Sequence, residues 1–335
     1  MYDIVTIGSA TKDVFLKTED FELQKHADSP TGEEICLPLG SKIEIKEIVN
    51  TTGGGGTNSA VTFARQGLKT ACIGVIGEDL NGKEIVEELK KENVEPIFQI
   101  HNDDQTAYSV ILTLPNAERT ILSYKGESQH FDVNKIHFDQ LQTNWLFLDS
   151  LGGHYDLLEK SVNWAIENKI KLATNPGGKE LAHGLEKLKP ILKNFDIVIM
   201  NQEEAAGLSG ISYQNEKEIF KFMDEAIEGI FVMTKGHNGV TVSDGKNLYS
   251  AGVPDSPIVE RTGAGDAFSS GFVAQIAQRT TTNRQPSTED IIKAIQFATA
   301  NASSVVTKIG AKEGILKKDD WGPWPLVKVE IKNLS

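Results

Sequence analysis

Cysteine is scarce in this chain of 335 residues, which contains only Cys36 and Cys72. The two lie far apart and form no metal-ligand spacing, so we expect both to stay reduced. No apolar run approaches the length of a membrane span. The N-terminus also lacks the basic region, apolar run and cleavage site of a secretory signal. These absences predict a cytoplasmic protein that has no membrane partner.

Positive charge is also in short supply, because 34 Lys and Arg residues face 47 Asp and Glu residues, for a formal net charge of −13. An acidic surface repels nucleic acid and anionic membranes, so neither is an expected partner. A local site can still bind a phosphate compound against this field, for example with Mg²⁺ and backbone amides. The apolar share of 39% is that of an ordinary globular protein.

Two nucleotide-binding motifs are missing around the four glycines at 53–56. No Lys-Ser or Lys-Thr follows them, so they do not form a Walker loop. They also do not follow a strand in G-x-G-x-x-G spacing, and no suitable acidic residue closes a βαβ unit after them. This argues against an oxidoreductase that uses a dinucleotide.

Short apolar strand patterns alternate with helical patterns, which predicts an α/β fold with a mainly parallel central sheet flanked by helices. Strand patterns cover 2–8, 70–76, 145–149, 170–174, 197–200 and 230–234, with a hairpin at 240–243 and 248–251. Helical patterns cover 80–93, 263–278 and 288–307, and a further helix ends at Gly67. Alternating apolar and polar residues at about 14–50 and 96–125 predict a small β-sheet lid. We predict one core domain over 1–320, with the lid inserted in it, and a C-terminal extension over 321–335.

The segment ERTGAGD at 260–266 precedes a buried helix, and we predict that it contains the catalytic groups. Its small residues leave the first backbone amides of the helix unobstructed, and such amides form an anion site suited to phosphate. We predict an anion hole formed by Gly263, Ala264 and Gly265. Asp266 would be the general base that accepts the proton of an attacking hydroxyl, and the helix terminus should keep it ionised at neutral pH. The alternative is a tight turn whose aspartate merely favours the helix dipole.

Two segments resemble a known family. GGGGTNSAVTFARQG at 53–67 and ERTGAGDAFSSGF at 260–272 are similar to the two signature segments of the ribokinase-type (PfkB) carbohydrate and nucleoside kinases, in the same order and separation. The resemblance extends from residue 8 to about residue 314. It implies a ribokinase-like fold and an ATP-dependent kinase that phosphorylates a primary hydroxyl of a small sugar. A nucleoside kinase of the same fold is the alternative.

The resemblance also implies a substrate site. Asp13 matches an aspartate that accepts hydrogen bonds from substrate hydroxyls, and a position at the carboxyl end of a strand suits that role. Gly53, Gly54 and Asn58 match the glycine pair and the asparagine of the first signature. The plainer interpretations are an exposed loop aspartate and a flexible loop in which Thr57 or Asn58 caps the helix.

Nucleotide and metal sites follow from the same resemblance. Asn201 and Glu204 resemble an N-x-x-E motif that organises Mg²⁺, which Glu204 would hold through water; the alternative is a helix capping box. The remaining residues implied in nucleotide binding are Thr234, Lys235, Gly236, Gly239 and Asn301. For Lys235 a solvated lysine, and for Asn301 an ordinary polar helix residue, are the alternatives.

Glu260 and Arg261 depart from the family pattern, which usually has Asp-Thr there. The aspartate often contributes to a monovalent-cation site, so potassium activation is in question. Arg261 would contact ATP phosphates, or else form a surface ion pair with Glu260 or another residue.

One hypothesis from another functional class remains, namely a non-catalytic sensor of sugar or nucleotide. A sensor, however, would not need a general base at Asp266. A lid of this kind leaves an apolar face and an edge, which favours pairing with a second copy of the chain.

Overall fold

A computed structural model describes residues 1–26, 32–114, 117–279 and 285–334. Within these residues a large sheet of ten strands is flanked by helices on both faces, and two smaller sheets stand apart from it. The strand bounds are β1 Tyr2–Ile7, β2 Thr11–Lys17, β3 Glu22–Lys25, β4 Glu33–Cys36, β5 Glu47–Gly53, β6 Thr70–Gly77, β7 Val94–His101, β8 Tyr108–Thr113, β9 Arg119–Tyr124, β10 Thr143–Leu148, β11 Lys171–Thr174, β12 Ile197–Asn201, β13 Ile230–Thr234, β14 Val240–Ser243, β15 Asn247–Ala251 and β16 Glu330–Asn333.

The helices lie mainly between strands of the large sheet, as expected for βαβ connections. Their bounds are α1 Gly55–Arg65, α2 Leu80–Lys91, α3 Tyr155–Glu167, α4 Gly178–Leu181, α5 Leu185–Leu192, α6 Gln202–Ser209, α7 Glu216–Ala226, α8 Ala264–Arg279 and α9 Thr288–Val305.

The large sheet has the order β16-β15-β14-β13-β12-β11-β10-β1-β6-β7. The seven neighbouring strands β7, β6, β1, β10, β11, β12 and β13 are parallel. Strands β14, β15 and β16 continue the sheet in antiparallel pairing. The central parallel strands are almost continuously apolar because helices cover both faces of the sheet. Since the carboxyl ends of parallel strands share one edge, the residues after β1, β10, β11, β12 and β13 come together there. The predicted α/β architecture is confirmed.

The small lid is a four-stranded sheet of order β5-β2-β8-β9, and β3 and β4 form a separate two-stranded sheet. One lid boundary is corrected, because the strand expected at 97–100 belongs to β7, which pairs in parallel with β6 at the edge of the large sheet. The alternating apolar and polar residues of β7 fit either sheet, because a strand at the edge of the large sheet also has one face in contact with solvent. Residues 27–31 and 115–116 of the predicted lid segments lie outside the described residues.

The C-terminal segment is part of the large sheet rather than an appendage to it. Its strand β16 pairs antiparallel with β15, from Ser250 and Glu330 to Asn247 and Asn333. All four side chains of β16 are exposed, so no apolar pattern marks the strand in the sequence.

Candidate active site

The glycine run before α1 lets two carboxylates approach the backbone. A side-chain Cβ on Gly53 would lie 1.8 Å from an oxygen of Asp13, and one on Gly55 would lie 1.9 Å from an oxygen of Asp149. Gly54 has a φ of +95°, a conformation that favours glycine. The glycines are therefore required by close packing around two acidic side chains.

Asp13 does not lie at the carboxyl end of β1, as the sequence suggested, but inside the lid strand β2. Its side chain is buried and accepts a hydrogen bond from Thr11. Burial raises the pKa of Asp13, although hydrogen bonds from Thr11 and Ser109 and the charge of Lys312 oppose the rise. The lid thus contributes the carboxylate of Asp13 to the site in which the core places Asp266.

A hydrogen bond between the two signature segments holds the side chain of Asp266 in place. Asn58 Nδ2 donates to Asp266 Oδ2 over 2.7 Å. The other side-chain atom of Asn58, Oδ1, is buried and has no hydrogen-bond partner among the described residues. A buried acceptor without a partner costs free energy unless a ligand or water supplies a donor. The site therefore presents an acceptor that a hydroxyl group can satisfy.

The surroundings of Asp266 add an effect of burial to the expected effect of the helix terminus. Burial raises the pKa of Asp266, the hydrogen bond from Asn58 lowers it, and the negative charge of Asp13 raises it again. Burial dominates because the partly buried carboxyl group loses much of its contact with water. A raised pKa brings the carboxylate closer to the operating range of a general base.

The turn before α8 lies at the surface, with Gly265 exposed and an open space at the position of its absent Cβ. Gly263 has a φ of +81°, and a Cβ there would meet Ala311 at 2.5 Å. Gly263 therefore shapes the turn, while Gly265 leaves its amide accessible. Ala264 donates its amide to Arg261 O over 3.3 Å, which closes the turn.

Two residues of this cluster escaped the sequence reasoning. Asp149 follows β10 and is buried, and burial together with the negative charge of Asp266 raises the pKa of Asp149 well above its ordinary value. A carboxylate at the carboxyl end of a buried parallel strand was the available signal. Lys312 is 4% exposed, bonds Thr52 Oγ1, and lies 3.7 Å from Glu88 Oε1. Nothing local marks Lys312, since a lysine in a loop is normally solvated.

The carboxyl ends of β12 and β13 bring together the residues expected at the nucleotide. Asn201 and Thr234 are register partners on the two strands. Asn201 Oδ1 accepts from Glu204 N, and Glu204 Oε2 accepts from Asn201 N, each over 2.8 Å, so the capping box of α6 is present. Burial raises the pKa of Glu204. Glu204 Oε1 forms no bond among the described residues.

The turn after β13 contains an ion-paired lysine and two glycines with different roles. Lys235 Nζ pairs with Glu216 over 2.9 Å, so its charge is already partly neutralised. Gly236 is exposed with a φ of +55°. Gly239 has a φ of +84°, and a Cβ there would overlap Ala251 O at 2.0 Å, so its glycine is explained by the fold alone.

Asn301 lies on α9. Its side chain is fully buried; Nδ2 donates to Ala267 O and Oδ1 accepts from Leu316 N, both over 2.8 Å. Through these two hydrogen bonds Asn301 joins α8, α9 and the C-terminal loop, which favours the alternative of a structural polar helix residue, and its contact with a nucleotide stays a prediction.

The residues that depart from the family pattern contact the lid. Glu260 is fully buried, accepts two bonds from Thr262 over 2.7 Å, and lies 3.4 Å from Arg119 Nε at the start of β9. Arg261 is 44% exposed and pairs with Glu118 over 3.2 Å. The expected alternative of a surface pair for Arg261 is therefore formed, with Glu118 as the partner.

Among the described residues, none of the helices is long and apolar enough to cross a membrane. No group of three or more His, Cys, Asp or Glu side chains in the described part of the chain is arranged to hold a metal ion.

Carboxylates beside the amides at a helix N-terminus, under a β-sheet lid, can accept a proton, stabilise a developing negative charge and exclude water. Residues 1–318 match the family described as pfkB family carbohydrate kinase. The chain belongs to this family.

The relatives agree with this assignment. A ribokinase from Haemophilus influenzae is 28% identical over 271 residues, which cover 78% of this chain and 83% of that protein. The fold is that of the Arabidopsis thaliana ribokinase solved with ribose and ATP, with a TM-score of 0.73, 19% identity, and coverage of 94% and 96% of the two chains. It is equally that of the Methanocaldococcus jannaschii nucleoside kinase, with a TM-score of 0.73, 18% identity, and coverage of 94% and 95%. The predicted family and ribokinase-like fold are confirmed.

Proposed function

We propose that the protein transfers the γ-phosphoryl group of ATP to a primary hydroxyl of a small sugar. The observation that carries this proposal is the 2.7 Å bond between Asn58 and Asp266, residues 208 positions apart. It joins a glycine-rich polar loop to the first turn of α8, where a general base and accessible amides are adjacent. A pfkB-family chain with this arrangement has the parts that phosphoryl transfer needs, namely positioning and charge stabilisation.

Each residue has a proposed role. Asp266 takes the proton of the attacking hydroxyl, and the amides of residues 263–265 hold the transferring phosphoryl group, to which Ala264 would turn its amide from the long 3.3 Å contact with Arg261 O. Asp13 and the free Oδ1 of Asn58 accept hydrogen bonds from the other sugar hydroxyls. The backbone at 53–54 borders the sugar, since its glycines admit a close approach. We add Asp149 to the substrate side, because it is buried next to the same glycine run.

The nucleotide is proposed to lie at the carboxyl ends of β12 and β13. Asn201, Thr234 and Gly236 would border it, and Lys235 and Arg261 would contribute charge. Mg²⁺ fits Glu204, whose Oε1 is free, through a bridging water, since Mg²⁺ keeps several waters and prefers oxygen ligands. The metal would neutralise charge on the transferred phosphate. A cytoplasmic location stays a prediction.

A nucleoside acceptor is the second candidate, supported by the fold shared with the archaeal nucleoside kinase. Both acceptor classes offer a primary hydroxyl and a vicinal diol, so the same carboxylates serve either. A panel of sugars and nucleosides, assayed for ADP formation, distinguishes them.

Asp266→Asn tests the central assignment. We expect kcat to fall about 10²- to 10⁴-fold with little change in the acceptor KM, since only the proton acceptor is lost. In the wild type, the acidic limb of kcat against pH should lie above the ordinary aspartate pKa of about 4, because burial raises the pKa of Asp266.

The matched control is Asp156→Asn, at an exposed position on α3, which should leave kcat unchanged. Near-normal turnover by Asp266→Asn would remove this residue as the base. A protein that binds sugars or ATP but forms no ADP with any acceptor would instead be the sensor.

Pairing through the lid is proposed as well. Ile48, Ile121, Leu122 and Tyr124 are 43–58% exposed on strands of the four-stranded sheet. We expect sedimentation equilibrium to give twice the chain mass, and Leu122→Lys to return the protein to a monomer. A wild-type monomer at micromolar concentration would exclude this dimer.

A further inference from the structure

A cavity with a basic lining lies beside the cluster of carboxylates. Its volume is about 590 Å³, within the range of roughly 300–1,000 Å³ that small-molecule sites occupy. It is bordered by the residues that follow β1, β9, β10 and β11. Among them are Gly8, Ser9, Lys125, Ser150, His154 and Lys179. We name it the basic cavity.

The charge of this lining is opposite to that of the whole protein. Lys125, His154 and Lys179 border the basic cavity, and no acidic residue is among the lining residues, although acidic residues outnumber basic ones by 47 to 34. Within the described residues, Lys125 and Lys179 form no ion pair closer than 4 Å. Both lysines are exposed to solvent, and together with His154 they border one concave surface. An anion inside it would gain from the charge of both lysines, and an imidazole N–H of His154 can donate a hydrogen bond to it.

Ser9 connects the basic cavity to the glycine run. Its Oγ accepts a hydrogen bond from Gly55 N over 3.0 Å, and its own hydroxyl hydrogen has no acceptor among the described residues. A serine hydroxyl can donate to an anion while it accepts a backbone amide. Ser9 is thus oriented by the same loop that holds the carboxylates.

The basic cavity and the carboxylates are direct neighbours. A Cβ on Gly8 would lie 2.9 Å from Asp149 Cβ, and Ser150, which borders the cavity, follows Asp149 in the chain. In the sheet, β11 and β12 separate β10 from β13, so the basic cavity lies on the side away from the proposed nucleotide. One half of the site therefore accepts hydrogen bonds from hydroxyls, and the adjoining half attracts negative charge.

We propose that the basic cavity binds an anionic group of the acceptor, a phosphate or a carboxylate, at the end remote from the hydroxyl that is phosphorylated. The acceptor is then a sugar phosphate or a sugar acid rather than a neutral sugar. This inference rests on the proposed kinase function. Carboxylates at one end and ammonium groups at the other select such a molecule over its neutral counterpart, because a neutral sugar leaves the cations without partners.

Matched acceptors test the proposal through ADP formation. D-Fructose is compared with its 1-phosphate and its 6-phosphate, and D-glucose with D-gluconate, so that the phosphate and carboxylate arms are separate. We expect at least one acidic acceptor to exceed its neutral counterpart in kcat/KM by about 10-fold or more, the effect of one good charged contact.

Variants then locate the effect. Lys125→Met combined with Lys179→Met should raise the KM of the preferred acid about 10-fold or more and leave the neutral acceptor unchanged. Lys217→Met, at an exposed position on α7, is the control. Equal kcat/KM for acids and neutral sugars, or an unchanged KM for the acid in the double variant, would overturn the basic cavity as an anion site.

The kinase proposal fails separately, if the wild type forms no ADP with any acceptor. In that case calorimetric titration with the same acids decides the inference alone. Binding that the double variant loses supports the basic cavity, and the absence of binding to the wild type overturns it.

Discussion

At the scale of single residues, the site concentrates like charges that the fold alone would not favour. Asp13, Asp149 and Asp266 all have pKa values raised by burial, and two of them are raised further by a neighbouring carboxylate. Lys312, itself buried with a pKa lowered by burial, is the cation that opposes this charge at Asp13 and Asp266. Such arrangements are common where groups must be poised for chemistry.

Asp149→Asn should therefore stabilise the protein without ligand at pH 8. A raised pKa means that the ionised carboxyl group costs folding free energy above that pKa. The cost disappears as the pH falls and Asp149 becomes protonated. An asparagine keeps one acceptor for the amide of Ser150, which Asp149 now binds. We expect the melting temperature to rise by about 2–4 °C for each kcal/mol relieved.

Thermal melts of Asp149→Asn and wild type between pH 5 and pH 8 would measure this difference, which should shrink towards pH 5. Asp156→Asn, whose carboxyl group is exposed, should show no such trend. A stability loss for Asp149→Asn that is constant with pH would mean that its hydrogen bonds outweigh the charge.

At the scale of elements, ion pairs connect the lid to the loop before the turn at 263–265. The pair of Arg119 with Glu260 is largely buried, whereas the pair of Glu118 with Arg261 is half-exposed on both sides. Loss of one partner from a buried pair leaves a charge without compensation, but an exposed pair contributes little. The two pairs are neighbours and should differ strongly in importance.

Arg119→Met should destabilise the protein by about 3 kcal/mol, the lower end for a broken buried pair, because Arg119 keeps some solvent contact. It should also lower kcat, since Glu260 holds Thr262 next to the turn. Glu118→Gln, the matched control, should change stability by less than about 1 kcal/mol. Urea unfolding and steady-state kinetics measure both. Arg119→Met combined with Glu260→Gln should recover part of the stability, and no recovery would argue against a charge effect.

At the scale of the whole molecule, the chain continues beyond the 318 residues that match the family. Strand β16 lies in this part and extends the large sheet at its far edge, separated from β13 by β14 and β15. Gln296 on α9 donates to Val327 O over 3.1 Å and also anchors the segment. These contacts stabilise the edge and lie away from the residues proposed for chemistry.

Truncation of residues 329–335 should therefore lower the unfolding free energy by about 1–3 kcal/mol, a few backbone hydrogen bonds, with kcat unchanged. Thermal melts and ADP formation measure the two effects. A folded truncated protein without turnover would show that the edge strand supports the site, which sheet order does not predict.

The order of strands and helices could be predicted from the sequence, because hydrophobic periodicity is a local property. The capping box at Asn201 and Glu204 was an explicit alternative for the same reason. The kinase family followed from the resemblance of the two glycine-rich segments at 53–67 and 260–272 to the family's signatures. Asp149, Lys312, the burial of Asn301 and the pairing of Arg119 with Glu260 were decided only by the tertiary structure. Burial and long-range charge determine what a polar side chain does, and both arise from segments that meet only after the chain has folded.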